Sequence, residues 1–261
     1  MFDFHLHTAV SYDSKGPIDQ TLQAAVDAGL REICFTDHCD YFTDPQRPPK
    51  TFTVNEYRAA YDGLSVPGLT IRKGLEFGMT EWNAREFKDM IGQYPFDFVI
   101  GSVHVVDGLD PYVPEYWHSE DVEGDFRRML EQNLKCVQAH DGFDVLGHLT
   151  YVCKSTHNPS REPVSFERNR DITDAIMEEL VRKDIGMEVN TSGVDRAGVF
   201  LPDAKFLKRF KELGGKIVTV GSDAHDPSRV GQYIPQALEM LKDIFGYVCT
   251  FENRQPVFHK L

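Results

Sequence analysis

Five short strings of this sequence each place a metal-type ligand at the end of an apolar run. They are His5-Leu6-His7, Thr36-Asp37-His38, Gly74-Leu75-Glu76, Gly101-Ser102-Val103-His104 and Gly221-Ser222-Asp223-Ala224-His225. Gly147-His148 repeats the pattern. Imidazoles and carboxylates without cysteine suit divalent ions and hydrolysis. Strand alternation puts His5 and His7 on one face, where two imidazoles can share an ion. Taken alone, the pair is equally two ordinary histidines near a terminus. Glu76 sits between Leu75 and Phe77, where a carboxylate must be paired, hydrogen-bonded or metal-bound. It can bridge two ions, which an imidazole cannot. His104 and His148, each alone, read better as satisfied core histidines. Asp223 and His225 pair an acid with an imidazole two apart; the competing role of Asp223 is a helix N-cap. Asp13 follows in the turn after the first strand. What weighs is the recurrence, because so many strand ends carrying ligands imply one shared rim.

The elements that must position these groups alternate along the chain. Strands are expected at 1–7, 32–38, 69–77, 96–104, 143–149, 186–190 and 216–222. Helices are expected at 17–29, 55–64, 81–91, 121–139, 172–182, 204–213 and 235–245, with a short strand or hairpin after Tyr247. Pro17 opens the first helix, Ile18, Leu22, Ala25 and Val26 share one face, and Gly29 stops it. Such βα alternation predicts a parallel sheet with right-handed crossovers. Seven strand–helix units are one short of the common eightfold barrel, whose active sites lie at the C-terminal ends of the strands. Long loops are expected at 39–54, 105–119 and 150–168. With no composition shift and no repeat, residues 1–261 read as a single domain.

The chain has 261 residues, 41% of them hydrophobic, and a formal net charge of −13 with a pI near 5.2. That balance argues against broad nucleic-acid or anionic-membrane binding. Bound metal ions would reverse the field locally, so an anionic substrate stays open. Cys34, Cys39, Cys136, Cys153 and Cys249 are odd in number and lack a CxxC spacing, which predicts no disulfide framework. No leader segment and no apolar run of membrane-spanning length are read, so a cytoplasmic location is expected. Oligomeric state is left open.

In order and spacing, the six motifs resemble those of the PHP (polymerase and histidinol phosphatase) superfamily, from residue 5 to residue 225. Gly101–Asp107, Glu188–Gly193 and Gly221–Gly231 resemble its histidinol-phosphatase branch. The resemblance implies a distorted (β/α)7 barrel, TIM-barrel-like, holding three divalent ions (Zn²⁺, Mn²⁺ or Fe²⁺). It implies that His5, His7, Glu76 and Asp223 hold the first ion. Glu76 would bridge to a second, held also by His104 and His148. Asp13, His38 and His225 would hold the third. Many members carry His where this chain has Asp13; the carboxylate favours harder ions such as Mn²⁺ or Fe²⁺.

Clustered divalent ions lower the pKa of a bridging water, orient a phosphate and neutralise its oxygens. The expected reaction is in-line attack of a metal-bridging hydroxide on a small phosphate monoester, with Glu76, Asp223 and His225 in the machinery; the resemblance implies that the ester is L-histidinol phosphate, in histidine biosynthesis. Arg161 and Arg196, in loops after the fifth and sixth strands, suit bidentate phosphate binding; a solvated surface is the usual fate of arginine. Asn190 and Ser192 could add hydrogen bonds or simply shape a turn. Asp40, Glu115 and His118 are candidates for protonating the leaving group. Asp40, Asp44, Asp107, Asp110 and Glu115 could meet a substrate ammonium. Tyr41, Phe42, Tyr112, Tyr116 and Trp117 either shape the pocket or pack the loops. The competing readings are a phosphoesterase for another small ester or a nucleotide, and a non-catalytic metal-binding module. A proofreading nuclease is disfavoured, since no basic strand-binding stripe is present.

Overall fold

The computed structural model describes residues 1–41, 49–118 and 120–261. Eight parallel strands build one sheet: β1 (Phe2–Leu6), β2 (Glu32–Phe35), β3 (His38–Asp40), β4 (Thr70–Gly78), β5 (Phe98–Ser102), β6 (Val145–Leu146), β7 (Gly186–Asn190) and β8 (Val218–Gly221). Their order is β1-β2-β4-β5-β6-β7-β8, with β3 pairing β4 beyond β2. The first and last strands then meet. Leu6 bridges Ala224 in parallel, the His7 N–H donates to the Ala224 carbonyl at 3.0 Å, and the Asp223 N–H donates to the His5 carbonyl at 2.8 Å. This is the seven-membered barrel that the alternation predicts.

The second stave departs from the single strand expected at 32–38. It breaks at Thr36-Asp37 because buried side chains there take over ladder bonds. Thr36 Oγ1 accepts from the Leu6 N–H at 3.2 Å, and Asp37 Oδ1 accepts from the Thr8 N–H at 2.8 Å. β3 then resumes in register with β4, pairing His38 with Glu76.

Helices α1 (Ile18–Asp27), α2 (Val54–Tyr61), α3 (Ala84–Ile91), α4 (Val122–Ala139), α5 (Arg170–Arg182), α6 (Val194–Ala197), α7 (Ala204–Glu212) and α8 (Ile234–Ile244) accompany the strands. Only the one-turn α6 was not expected. Thr53 and Glu56 close a capping box on α2, and Asp121 and Asp203 cap α4 and α7. None of the described helices is long and apolar enough to cross a membrane. The five cysteines are free and buried.

The tail forms the hairpin β9 (Tyr247–Glu252) and β10 (Gln255–Lys260). Its turn residues Asn253 and Arg254 both have positive φ, which suits a tight hairpin. The turn docks under the N-terminal ends of β5 and β6. The Asn253 N–H donates to Asp97 Oδ1 at 3.1 Å, and Arg254 Nε donates to Asp144 Oδ2 at 2.6 Å. Phe251 packs on Phe98 at 4.9 Å between ring centroids. One mouth of the barrel is thereby closed, and the ligand-bearing motifs lie at the other.

Candidate metal centre

Glycines make room for the ligands. A Cβ on Gly221 would collide with His5, and one on Gly147 would collide with Ser102 and Ile100. At Gly221 and Gly147 the missing side chain is therefore space that a neighbouring strand fills on its approach to the axis.

Three sets of ligand atoms converge at the strand ends. In the first, His5 Nε2 lies 3.1 Å and His7 Nε2 lies 3.4 Å from Glu76 Oε2. Asp223 Oδ1 is 3.3 Å from His7 Nε2 and 3.7 Å from His5 Nε2. In the second, the other Glu76 oxygen, Oε1, faces His148 Nε2 at 2.8 Å and His104 Nε2 at 3.2 Å. In the third, Asp13 Oδ2 is 3.4 Å from both His38 Nε2 and His225 Nε2, which are themselves 3.4 Å apart. A tetrahedral ion with bonds of about 2.0–2.1 Å holds its ligand atoms about 3.3–3.4 Å apart. The Asp13–His38–His225 triangle has that edge length.

The orphaned polar atoms point the same way. His5 Nε2, His7 Nε2, His38 Nδ1 and Glu76 Oε2 are buried without a hydrogen-bond partner. Buried polar groups normally find partners. Three orphaned nitrogens around one orphaned carboxylate oxygen fit a site whose partner is a cation. The outward nitrogens are already committed. His5 Nδ1 donates to Glu188 Oε1 at 2.5 Å, and His104 Nδ1 donates to Asp40 Oδ1 at 3.3 Å. Ser11 Oγ donates to Asp37 Oδ1, so it accepts from His7 Nδ1, 3.0 Å away. His225 Nδ1 donates to the Asp223 carbonyl at 3.0 Å. Each bond turns the Nε2 atom to the cluster, where a neutral ring offers a cation its lone pair.

Burial would lower His5, His38 and His104, but the carboxylates of Glu188, Glu76 and Asp40 around them raise all three, so these rings carry charge that a bound cation would displace. Burial alone would raise Glu76, but His5, His38 and His104 hold it well below the usual carboxylate range. Burial would also raise Asp223, and Lys154 and His5 keep it low. Burial, together with the neighbouring His225 and His38, pushes His7 well down, and burial lowers His148. Both imidazoles are therefore neutral donors.

The profile of the PHP domain family matches residues 3–192. The chain belongs to the PHP domain family. A histidinol-phosphatase of Lactococcus lactis is 31% identical over 96% of this chain and 94% of its own length. A probable histidinol-phosphatase of Clostridium acetobutylicum is 30% identical over 99% of this chain and 96% of its own. The crystal structure of the L. lactis histidinol phosphate phosphatase, complexed with zinc, L-histidinol and phosphate, superposes with a TM-score of 0.81. It is 28% identical and covers 98% of both chains.

In this PHP chain the ligand cluster opens into a cleft of about 370 Å³. Besides ligands, it is lined by Tyr12, Lys50, Asp110, Tyr112, Tyr151 and Lys154. Arg161 and Arg196 are brought together, but in an adjoining cavity of about 280 Å³ with Ser155 and Asp195. Tyr112 lines the metal cleft. Burial raises its phenol, and the charges of Lys154 and Arg196 act against that rise.

Other expectations resolve differently. Asp40 is buried behind His104 and also accepts from the Tyr12 hydroxyl at 3.1 Å. His118 is turned to Asp125, 2.7 Å from its Oδ1, and does not line the cleft. Glu115 is exposed. Asp107 lines a separate cavity. Tyr116 and Trp117 pack the loop, donating to the carbonyls of Asp125 and Pro111. Asn190 shapes its turn by accepting from the Ser192 N–H and Oγ. Tyr41 is half-buried and packs on Phe77, with 5.9 Å between ring centroids. Phe42 and Asp44 fall outside the described residues. Glu188 and Lys154 were not anticipated as site residues. Glu188 was legible as a carboxylate within the apolar run Gly186–Val189, the same signal that singled out Glu76.

Proposed function

We propose that this chain is a metal-dependent phosphomonoesterase that hydrolyses L-histidinol phosphate to L-histidinol and phosphate, with three divalent ions. The observation that carries this reading is the division of Glu76 between two sets of imidazoles, beside the Asp13–His38–His225 triangle. Histidinol-phosphatases of matching length at about 30% identity support the choice of ester.

The first ion would be held by His5, His7, Glu76 and Asp223, the second by Glu76, His104 and His148, and the third by Asp13, His38 and His225. When bound, clustered ions supply Lewis acidity and an activated water for in-line phosphoryl displacement. The protein's own residues do the rest. Glu188, Asp40 and Ser11 fix the imidazole tautomers. Arg161 and Arg196 stand beside the cleft with forked donors for phosphate oxygens. Asp110 lines the cleft and takes the Tyr112 N–H at 2.9 Å on Oδ1, leaving its charge to face a substrate ammonium.

The test is phosphate release from protein loaded in turn with Zn²⁺, Mn²⁺ and Fe²⁺, over a panel of small phosphate esters and nucleotides. The expected result is a strong preference for L-histidinol phosphate. Preference for a nucleotide would replace the substrate, and no turnover with any ion would sink the enzyme reading.

A further inference from the structure

Lys154 sits in the 3₁₀ turn Tyr151–Lys154, which separates the two cavities. Its neighbours Cys153 and Ser155 line the arginine cavity, while Lys154 itself lines the metal cleft. The side chain is 12% exposed. Its ammonium lies 2.5 Å from Asp223 Oδ2 and 3.0 Å from Ser192 Oγ. Ser192 Oγ in turn lies 3.1 Å from the same Asp223 oxygen and 2.6 Å from Asn190 Oδ1. Asp223 is thus divided: Oδ2 is taken by Lys154, with the Ser192 hydroxyl oxygen beside it, and Oδ1 is turned to His5, His7 and His225.

An ammonium has three N–H donors. Two are used by Asp223 and Ser192. The third has no hydrogen-bond partner among the described residues, and the group faces the cleft. Tyr151, 5.1 Å from Nζ to ring centroid, walls the ammonium on one side. A buried ammonium beside carboxylates is satisfied while those carboxylates are unneutralised. Once divalent ions take them up, its charge is in surplus and is compensated only by an incoming anion. A phosphate monoester is such an anion.

We propose that Lys154 is a site residue with two linked tasks. It holds Asp223 so that one oxygen alone faces the ion cluster, and it gives its remaining N–H to a phosphoryl oxygen of the bound ester. The proposal rests on the phosphoesterase reading above but not on the identity of the alcohol.

The probe is therefore inorganic phosphate, titrated calorimetrically into zinc-saturated protein. Lys154→Met is expected to weaken phosphate binding at least about tenfold, as loss of a charge-assisted hydrogen bond does. It is also expected to lower zinc retention against a chelator. Lys154→Arg keeps the charge and is expected to hold phosphate within about threefold of wild type while losing zinc more readily, because a planar fork does not reproduce the Asp223–Ser192 geometry. Lys154→Gln serves if the Met variant does not fold. Wild-type phosphate affinity in the neutral variants overturns the phosphoryl contact, whatever their zinc content. Wild-type zinc retention in them overturns the hold on Asp223. If L-histidinol phosphate proves not to be the ester, the phosphate titration still reads Lys154.

Discussion

Glu188 grips His5: its Oε1 lies 2.5 Å from the imidazole Nδ1, across 183 positions of sequence. The same carboxylate spends Oε2 on the His148 N–H, at 2.8 Å. One buried acid therefore orients a ligand of the first set and the backbone of a ligand in the second. Glu188→Ala is expected to lower zinc affinity and kcat/KM by about 10–100-fold, the usual cost of losing such an outer partner. Glu188→Gln still accepts at Nδ1 through its amide oxygen and is expected to lose less. Equal zinc retention in wild type and Glu188→Ala, measured by elemental analysis after chelator challenge, would show that the grip has no bearing on the ions.

Glu76 makes a sharper case, because its two oxygens face the Nε2 atoms of His5 and His148, the nitrogens turned to the cluster. Glu76→Gln keeps the shape, removes the charge and turns an N–H₂ toward imidazole lone pairs. Activity is expected to fall by more than about a hundredfold, beyond the range for outer-shell partners, with less zinc per chain. Normal metal content with normal turnover would remove Glu76 from the bridge.

The convergence of the strand ends was legible because each carries a polar group on an apolar run, and burial of such a group demands a reason. Glu76 and Asp223 announce themselves this way. The barrel was legible from alternation, and its closure follows from the Leu6–Ala224 pairing that no local pattern encodes. The break at Thr36-Asp37 was not readable, since it depends on Leu6 and Thr8 donating to side chains about 30 positions away. Nor was the position of Lys154: a loop lysine is ordinarily solvated, and only the fold brings it onto Asp223.

Arg161 and Arg196 test whether the adjoining cavity belongs to the reaction. Neither is paired to a carboxylate among the described residues, although Asp195 and Ser155 share their cavity. A charged hydrogen bond is worth about 1.5–3 kcal/mol. Replacing either by Ala is thus expected to reduce kcat/KM by roughly 10–100-fold, mainly through KM, with zinc content unchanged. Unaltered kinetics in both variants would assign the two guanidinium groups to the surface.

Asp3 gives the seam of the barrel a pH dependence of unusual sign. Its carboxylate accepts from the backbone N–H groups of Ser222 at 2.8 Å, Gly231 at 2.9 Å and His5 at 3.4 Å, tying β1 to the segment that carries Asp223. Burial outweighs those bonds and raises its pKa to about 6. The folded state therefore binds this proton more tightly than the unfolded chain, whose aspartates titrate near 3.9. Folding takes up a proton between the two values, so this group favours the folded state as pH falls from about 6 toward 4 and opposes it as pH rises. The contribution is on the order of 2 kcal/mol between pH 7 and pH 4. Asp3→Asn cannot titrate, so its unfolding free energy in metal-free protein is expected to fall more steeply on acidification than that of wild type, by about that amount. Urea titrations of both proteins at pH 7 and pH 4 measure the difference; parallel pH profiles would mean that Asp3 titrates alike in the folded and unfolded chain.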